Sequence, residues 1–428
     1  MSVSEPEREN ASRAVDRHLT RNFRLLALYH IVMRTGWILK TESIIMPAVL
    51  DSLGGTGALR GCLPLLNRFG QSLSGVLSAR RVKIAPHKKW VLVASTVGMG
   101  ASFLLLSLMW WATGGVVAWW MKYAFLALYT TFFLCIGVSQ LCFSTLQGKL
   151  IPVHQRGKLL STAGLIGGAC AVAAALLLMG TWREEGASFG LLFGVSGAMF
   201  LLSGVAVMGL VEPRDAYQEP AGVGRLVSAS LRTLREDRAF TLLCVTAILF
   251  GVSMMLFPHY QALARVKLGL GGEWLLFWTI VQNVGTSLFS VPTGWIAARR
   301  GNRLVLRITL VLLLAAPLLA VGLAALPEVG KHYYSAVYVF VGLTPVVIKS
   351  LQNYALEMST PEDHPRYLGT LNLALALPFG LSPLLGLMVD RWGFAAAFLL
   401  ASGALAGAWT ATFWLIEPRA RALASARK

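Results

Sequence analysis

Residues 29–47 read YHIVMRTGWILKTESIIMP, a run apolar enough to cross a membrane that nonetheless carries Arg34, Lys40 and Glu42. An ionised side chain near the bilayer centre costs roughly 2.5–3.5 kcal/mol on insertion scales. Such residues reach the interface, find partners, or face a wet cavity rather than lipid. A chain organised around this stretch therefore has to build that cavity.

The composition agrees. The 428 residues are 56% hydrophobic and only 14% charged, with a mean hydropathy of +0.63, whereas a soluble domain carries about 25% charged residues. Apolar runs near the length of a membrane crossing recur throughout. The leading MSVSEPERENASRAVDRHLT is polar and has no small-residue cleavage site, so no signal peptide is expected and the first helix stays. The net charge of +18 does not point to nucleic acid, because the basic residues sit in short tracts on alternate loops. Cys62, Cys135, Cys142, Cys170 and Cys244 all fall in apolar segments without CxxC spacing and read as small buried side chains. No cofactor and no metal site are expected.

Scanning for apolar runs between turn and charge signals yields twelve spans, near 24–50, 58–79, 90–112, 118–147, 158–180, 188–211, 240–265, 273–297, 304–326, 332–358, 367–389 and 393–416. One set of loops collects most of the Arg and Lys, among them Arg80, Arg81, Lys88, Lys89, Arg299, Arg300 and Arg303. The other holds few, such as Arg60, Arg183 and Lys331. This bias predicts a multi-pass protein of the inner membrane with both termini cytoplasmic. The predicted divisions are a tail (1–23), a first bundle (24–211), a linker (212–239), a second bundle (240–416) and a tail (417–428). In the linker, Leu226, Leu231 and Leu234 alternate with basic residues, which suits either an amphipathic helix at the membrane face or a solvated linker helix.

The two halves repeat. RNFRLL at 21 pairs with RAFTLL at 238, LGG at 53 with LGG at 270, GVLSARR at 75 with GWIAARR at 294, and LVEPR at 210 with LIEPR at 415. The fold class is therefore all-α: twelve transmembrane helices in two pseudo-symmetric halves of six, related by an axis along the membrane normal.

Twelve spans, two halves, a basic central linker and the paired loop motifs resemble the major facilitator superfamily. That family's loop runs roughly G-x-x-x-D-R-x-G-R-R. Here the copies are Gly75 to Arg80, and Gly294 to Arg303 through Arg299. Alanine (Ala79, Ala298) stands where the family places the aspartate that latches the cytoplasmic ends. The glycine-proline signature of antiporters in span 5 is missing as well; Leu165-Ile-Gly-Gly168 keeps glycines only. The resemblance implies a monomeric secondary transporter of a small solute working by alternating access, with membrane lipids as its other partners. No P-loop motif occurs, so a gradient is the expected energy source.

On a helix turning 100° per residue, His30, Trp37 and Thr41 lie within about 60° of Arg34 and form one face. Glu42 falls at its margin and Lys40 nearly opposite Glu42, where it is expected to snorkel to the interface. In span 2, Arg68, Gln71, Ser72 and Gly75 follow at helical spacing. In span 10, Lys349, Asn353 and Glu357 recur every fourth residue after a kink expected at Pro345. The repeat matches Lys349 with Gln140 of span 4. In the resembled family spans 1, 4, 7 and 10 line the cavity, which makes Arg34, Trp37, Thr41, Gln140, Lys349 and Asn353 substrate candidates, joined by Arg68 and Gln71 if span 2 faces inward. Midplane cations suit an anionic or zwitterionic substrate, since Arg pairs bidentately with carboxylate or phosphate; the alternative is that Arg34 and Arg68 are compensated internally. The repeat also sets Glu42 against His259, a pair that either exchanges protons during the cycle or sits in a solvated outer vestibule. Lipid or lysolipid flipping and multidrug efflux remain open within transport, and a non-transporting scaffold or sensor outside it. The GxSG at Gly194–Gly197 is too weak a protease signal to make the chain an enzyme.

Overall fold

The computed structural model describes residues 5–114, 116–180, 188–214, 232–360 and 363–417, which among them contain helices and no strand. Ten helices are long and apolar enough to cross a membrane, and they coincide with expected spans 3–12. Spans 1 and 2 are helical too, as Glu5–Ile38 plus Ile45–Ser52 and as Gly57–Ile84. They miss the apolar criterion because span 1 is interrupted at 39–44 and span 2 carries Arg60, Arg68, Arg80 and Arg81. The first helix starts at Glu5, ahead of the expected 24, in an Ala-, Glu- and Arg-rich run of good helix formers. Of the expected linker helix, residues 232–236 are helical and 215–231 lie outside the described residues.

The chain divides into two compact units, residues 1–41 with 66–221 and residues 42–65 with 222–428. In the first, span 3 (Lys88–Ala112) packs along span 6 (Ser188–Met208). The closeness comes from small residues: a Cβ added at Gly197 would lie 2.9 Å from the Gly100 carbonyl, and one at Gly204 2.5 Å from the Thr96 hydroxyl. Within lipid, such close backbone approach replaces the hydrophobic drive that water would supply. Phe103, Phe132, Phe193 and Phe200 fill the interior with edge-on and tilted ring pairs 4.8–5.8 Å apart. At one end Glu212, from LVEPR, accepts from the Lys88 and Lys89 amides (2.9 Å each) and pairs with Lys149 at 3.1 Å. A carboxylate there satisfies the free N–H groups of span 3.

In the second unit, spans 7, 10 and 11 are broken helices. Span 7 runs Arg238–Met254 and Phe257–Leu268; span 10 runs Ser335–Val341 and Thr344–Met358. Span 11 runs His364–Ala376 and Ser382–Trp392 around a 3₁₀ turn, Leu377–Leu381. Pro258, Pro345, Pro378 and Pro383 each open a segment, where a missing amide costs nothing. The interruption expected at Pro345 falls just before it, at Gly342–Leu343. Glu417 of LIEPR lies against Gly301, the residue preceding span 9, so the two copies of the repeat place their carboxylates alike.

Candidate substrate-binding faces

In the first unit Arg34 is exposed on span 1, and among the described residues no ion pair with a carboxylate forms at it. Its side chain lies over a glycine shelf of span 5 (Val153–Met179). A Cβ added at Gly164 would lie 3.7 Å from Nη1, and one at Gly168 3.6 Å from Nη2. Gly168, which the sequence offered only within an incomplete motif, thus forms the bed of the guanidinium together with Gly164.

Two contacts set the register of span 1 against span 4 (Met121–Leu150). The Tyr29 and Ser139 hydroxyls share a hydrogen bond of 2.8 Å, and the Trp37 ring meets Phe132 and Phe133 at 6.1 and 6.5 Å. The helices are antiparallel, so the exposed Gln140 lies more than one and a half helical turns from Arg34, toward the start of span 1. Trp37 is half-buried. Thr41 is half-buried and donates its hydroxyl proton to the Ile38 carbonyl at 2.7 Å, at the helix end. Arg68 is half-buried, and Gln71 donates to Asn67 one turn earlier.

Lys40 does not snorkel. It is fully buried, its ammonium 3.3 Å from the Trp37 ring centroid and 4.6–4.7 Å from those of Phe133 and Phe132. A desolvated cation–π contact is worth about 2 kcal/mol or more, which helps a cation stay inside.

In the second unit Lys349 and Asn353 are exposed, one turn apart on Thr344–Met358. Glu357, the third member of that row, instead accepts from Asn302 at 3.0 Å. Asn283 and Ser287 of span 8 (Trp274–Arg300) show a further polar edge, and Gln352 reaches Asn372 of span 11 at 3.5 Å. These residues were missed from the sequence, although the spacing of Asn283, Ser287 and Ser290 in NVGTSLFS already marks one helix face.

Glu42 lies in the span-1 interruption. His259 is fully buried, in the packed interior rather than an outer vestibule, and neither ring nitrogen is hydrogen-bonded among the described residues. Close by in sequence, Gln261 donates to Asp51 at 2.7 Å, and Asp51 also holds Arg60. In the loop motifs Gly75 is half-buried and Gly294 is exposed, with open space around it. Arg299 stacks on Trp295 at 4.0 Å and Arg303 donates to the Phe413 carbonyl at 3.2 Å, while the Arg80 side chain lies outside the described residues.

Residues 274–428 match the family model described as Major Facilitator Superfamily. No curated protein matches by sequence. Among solved structures, a point variant of the nucleoside transporter NupG superposes with a TM-score of 0.70 at 12% identity, over 92% of this chain and 99% of that one. The D-xylose–proton symporter gives 0.63 at 14% identity over 92% and 98%. A bacterial homologue of the human lysosomal transporter Spinster, crystallised inward-facing and unoccupied, gives 0.58 at 13% identity over 98% and 96%. The chain thus matches the superfamily's model over its last third and shares the fold of these transporters along nearly its whole length.

Proposed function

We propose that the protein is a secondary transporter of a small anionic or zwitterionic solute, working by alternating access. The observation that carries this reading is a pair of exposed cations at mid-span positions, Arg34 in one unit and Lys349 in the other. Neither forms an ion pair among the described residues. Further exposed polar groups accompany them: Gln140 on span 4 in the first unit, and Asn353 one turn from Lys349 in the second. A cation held at that depth without a carboxylate is costly, and an anionic substrate offsets the cost. The fold neighbours include a nucleoside transporter and a sugar–proton symporter, so small polar solutes suit the architecture. In this reading Glu42 and His259 couple transport to protons. The loop charges put both termini on the cytoplasmic side of the inner membrane.

The test is uptake or efflux in proteoliposomes, after a thermal-shift screen against organic anions, sugars, lysolipids and cationic drugs has identified a ligand. Arg34→Ala and Lys349→Ala are each expected to lower transport at least tenfold with normal membrane expression. Wild-type flux in both variants, or stabilisation by lysolipids or cationic drugs alone, would overturn the anion reading.

A further inference from the structure

Trp37 stands one turn beyond Arg34 on span 1, so the two side chains leave the helix on the same side. Lys40 follows three residues later, just past the helix end at Ile38. It turns its ammonium back onto the indole, 3.3 Å from the ring centroid. At that distance a charged nitrogen sits over the face of the ring, not beside its edge. The ammonium is also 4.7 and 4.6 Å from the centroids of Phe132 and Phe133, which lie 6.1 and 6.5 Å from that of Trp37. These distances close two triangles that put both phenyl rings on the ammonium's side of the indole. One face of Trp37 is therefore covered, with Lys40 completely buried behind it. Trp37 itself is only half-buried, so what it exposes is the opposite face and the rim.

The guanidinium beside that face is held in place. A Cβ added at Gly167 would lie 3.1 Å from the Ile31 Cα and 3.4 Å from Cβ and Cδ of Arg34, so span 5 grips the stem while Gly164 and Gly168 lie under the head. The step from Arg34 to Trp37 is about 4.5 Å along the helix axis. A ligand that touches both carries its anionic group about one helical turn from its ring. All of these residues belong to the first unit.

An aromatic face attracts cations, and it attracts other rings by offset stacking. Here a cation is already supplied from within the protein, on the hidden side. The π-density drawn toward the Lys40 ammonium is not available to a second cation on the open side, and Arg34 repels one as well. A neutral ring meets no such repulsion, and a carboxylate or phosphate attached to it reaches Arg34.

We propose that the open face of Trp37 is a stacking subsite for the planar ring of an anionic substrate. Lys40 is its positioning residue, fixing the indole from behind and turning the subsite against aromatic cations. This inference rests on the anion reading of Arg34 and narrows it to an aromatic acid.

The test is calorimetric titration of the full-length protein in nanodiscs with three probes: indole-3-propionate, cyclohexanepropionate and 3-(indol-3-yl)propylamine. The two acids differ in the ring, and the two indoles differ in charge. The parent should bind the indole acid roughly twofold to tenfold more tightly than the cyclohexane acid, and the amine most weakly. Trp37→Leu should bring the two acids together while still binding both. Lys40→Met, of similar length and uncharged, should shift the amine-to-acid affinity ratio about threefold or more toward the amine. Should Lys40→Met fail to fold, Arg34→Ala leaves Lys40 alone to oppose a cation, and the amine should still bind more weakly than the neutral 3-(indol-3-yl)propanol. Equal affinity for the two acids in the parent, or a preference that survives Trp37→Leu, overturns the subsite and leaves the anion reading standing. An unchanged amine-to-acid ratio in Lys40→Met overturns the role of Lys40. Binding of neither acid overturns the aromatic-acid assignment, and if the amine then binds, the anion reading falls with it.

Discussion

At the scale of single residues, what decides a side chain's role is what surrounds it. Arg34 and Lys40 are both cations in the same span, yet one is exposed over glycines and the other is enclosed by three aromatic rings. The bed of Arg34 makes a graded prediction. A methyl group at residue 168 would meet Nη2 at ordinary van der Waals distance, whereas a branched side chain would occupy the guanidinium's place. Gly168→Ala should therefore bind the ligand found by thermal shift nearly as the parent does, and Gly168→Leu about tenfold more weakly, both measured by titration of purified protein. The face bearing Arg34 and Trp37 was legible from helical spacing. The enclosure of Lys40 was not, because its cage comes from Phe132 and Phe133 on span 4, about ninety positions on.

Among the elements, glycine placement separates contacts from open faces. Gly197 meets the Gly100 carbonyl and Leu104 across the span 3–span 6 crossing, whereas Gly322 of span 9 has open space around its Cβ position. Overpacking a tight site costs roughly 1–3 kcal/mol. Gly197→Leu should lower the detergent melting temperature by several degrees and Gly322→Leu should leave it unchanged or raised, checked by scanning fluorimetry. The same reasoning explains why the polar spans 1 and 2 escape a hydropathy criterion. Their charges are placed to meet protein: Arg60 meets Asp51, and Arg34 lies along span 5.

For the whole molecule, coupling is the property that no single helix carries. If Glu42 and His259 bind and release protons during transport, an imposed inward pH gradient should change substrate flux in proteoliposomes several-fold, and Glu42→Gln should remove that response while retaining exchange. Flux indifferent to the gradient in the parent would exclude the coupling. The burial of His259 without a hydrogen-bond partner among the described residues bears on its role: a neutral ring tolerates that site, and a charged one would require the surrounding packing to move. Its neighbours in the second unit include the residue 42–65 segment, through Gln261 and Asp51.

The division between sequence and tertiary structure follows from range. The apolar runs, the repeated LVEPR and LIEPR ends and the basic loops determined a two-half helical membrane protein, because hydropathy, periodicity and charge bias are local properties of a chain. The same local signals picked out Arg34 and Lys349. Tertiary structure alone decided that glycines 164 and 168 seat Arg34, that aromatic rings enclose Lys40, that Glu357 serves Asn302, and that residues 42–65 pack with the second unit, where Asp390 accepts from the Gly57 amide at the start of span 2. Each of these joins residues far apart in the chain, and a glycine shows in sequence only as a missing side chain until the partner that fills its place is known.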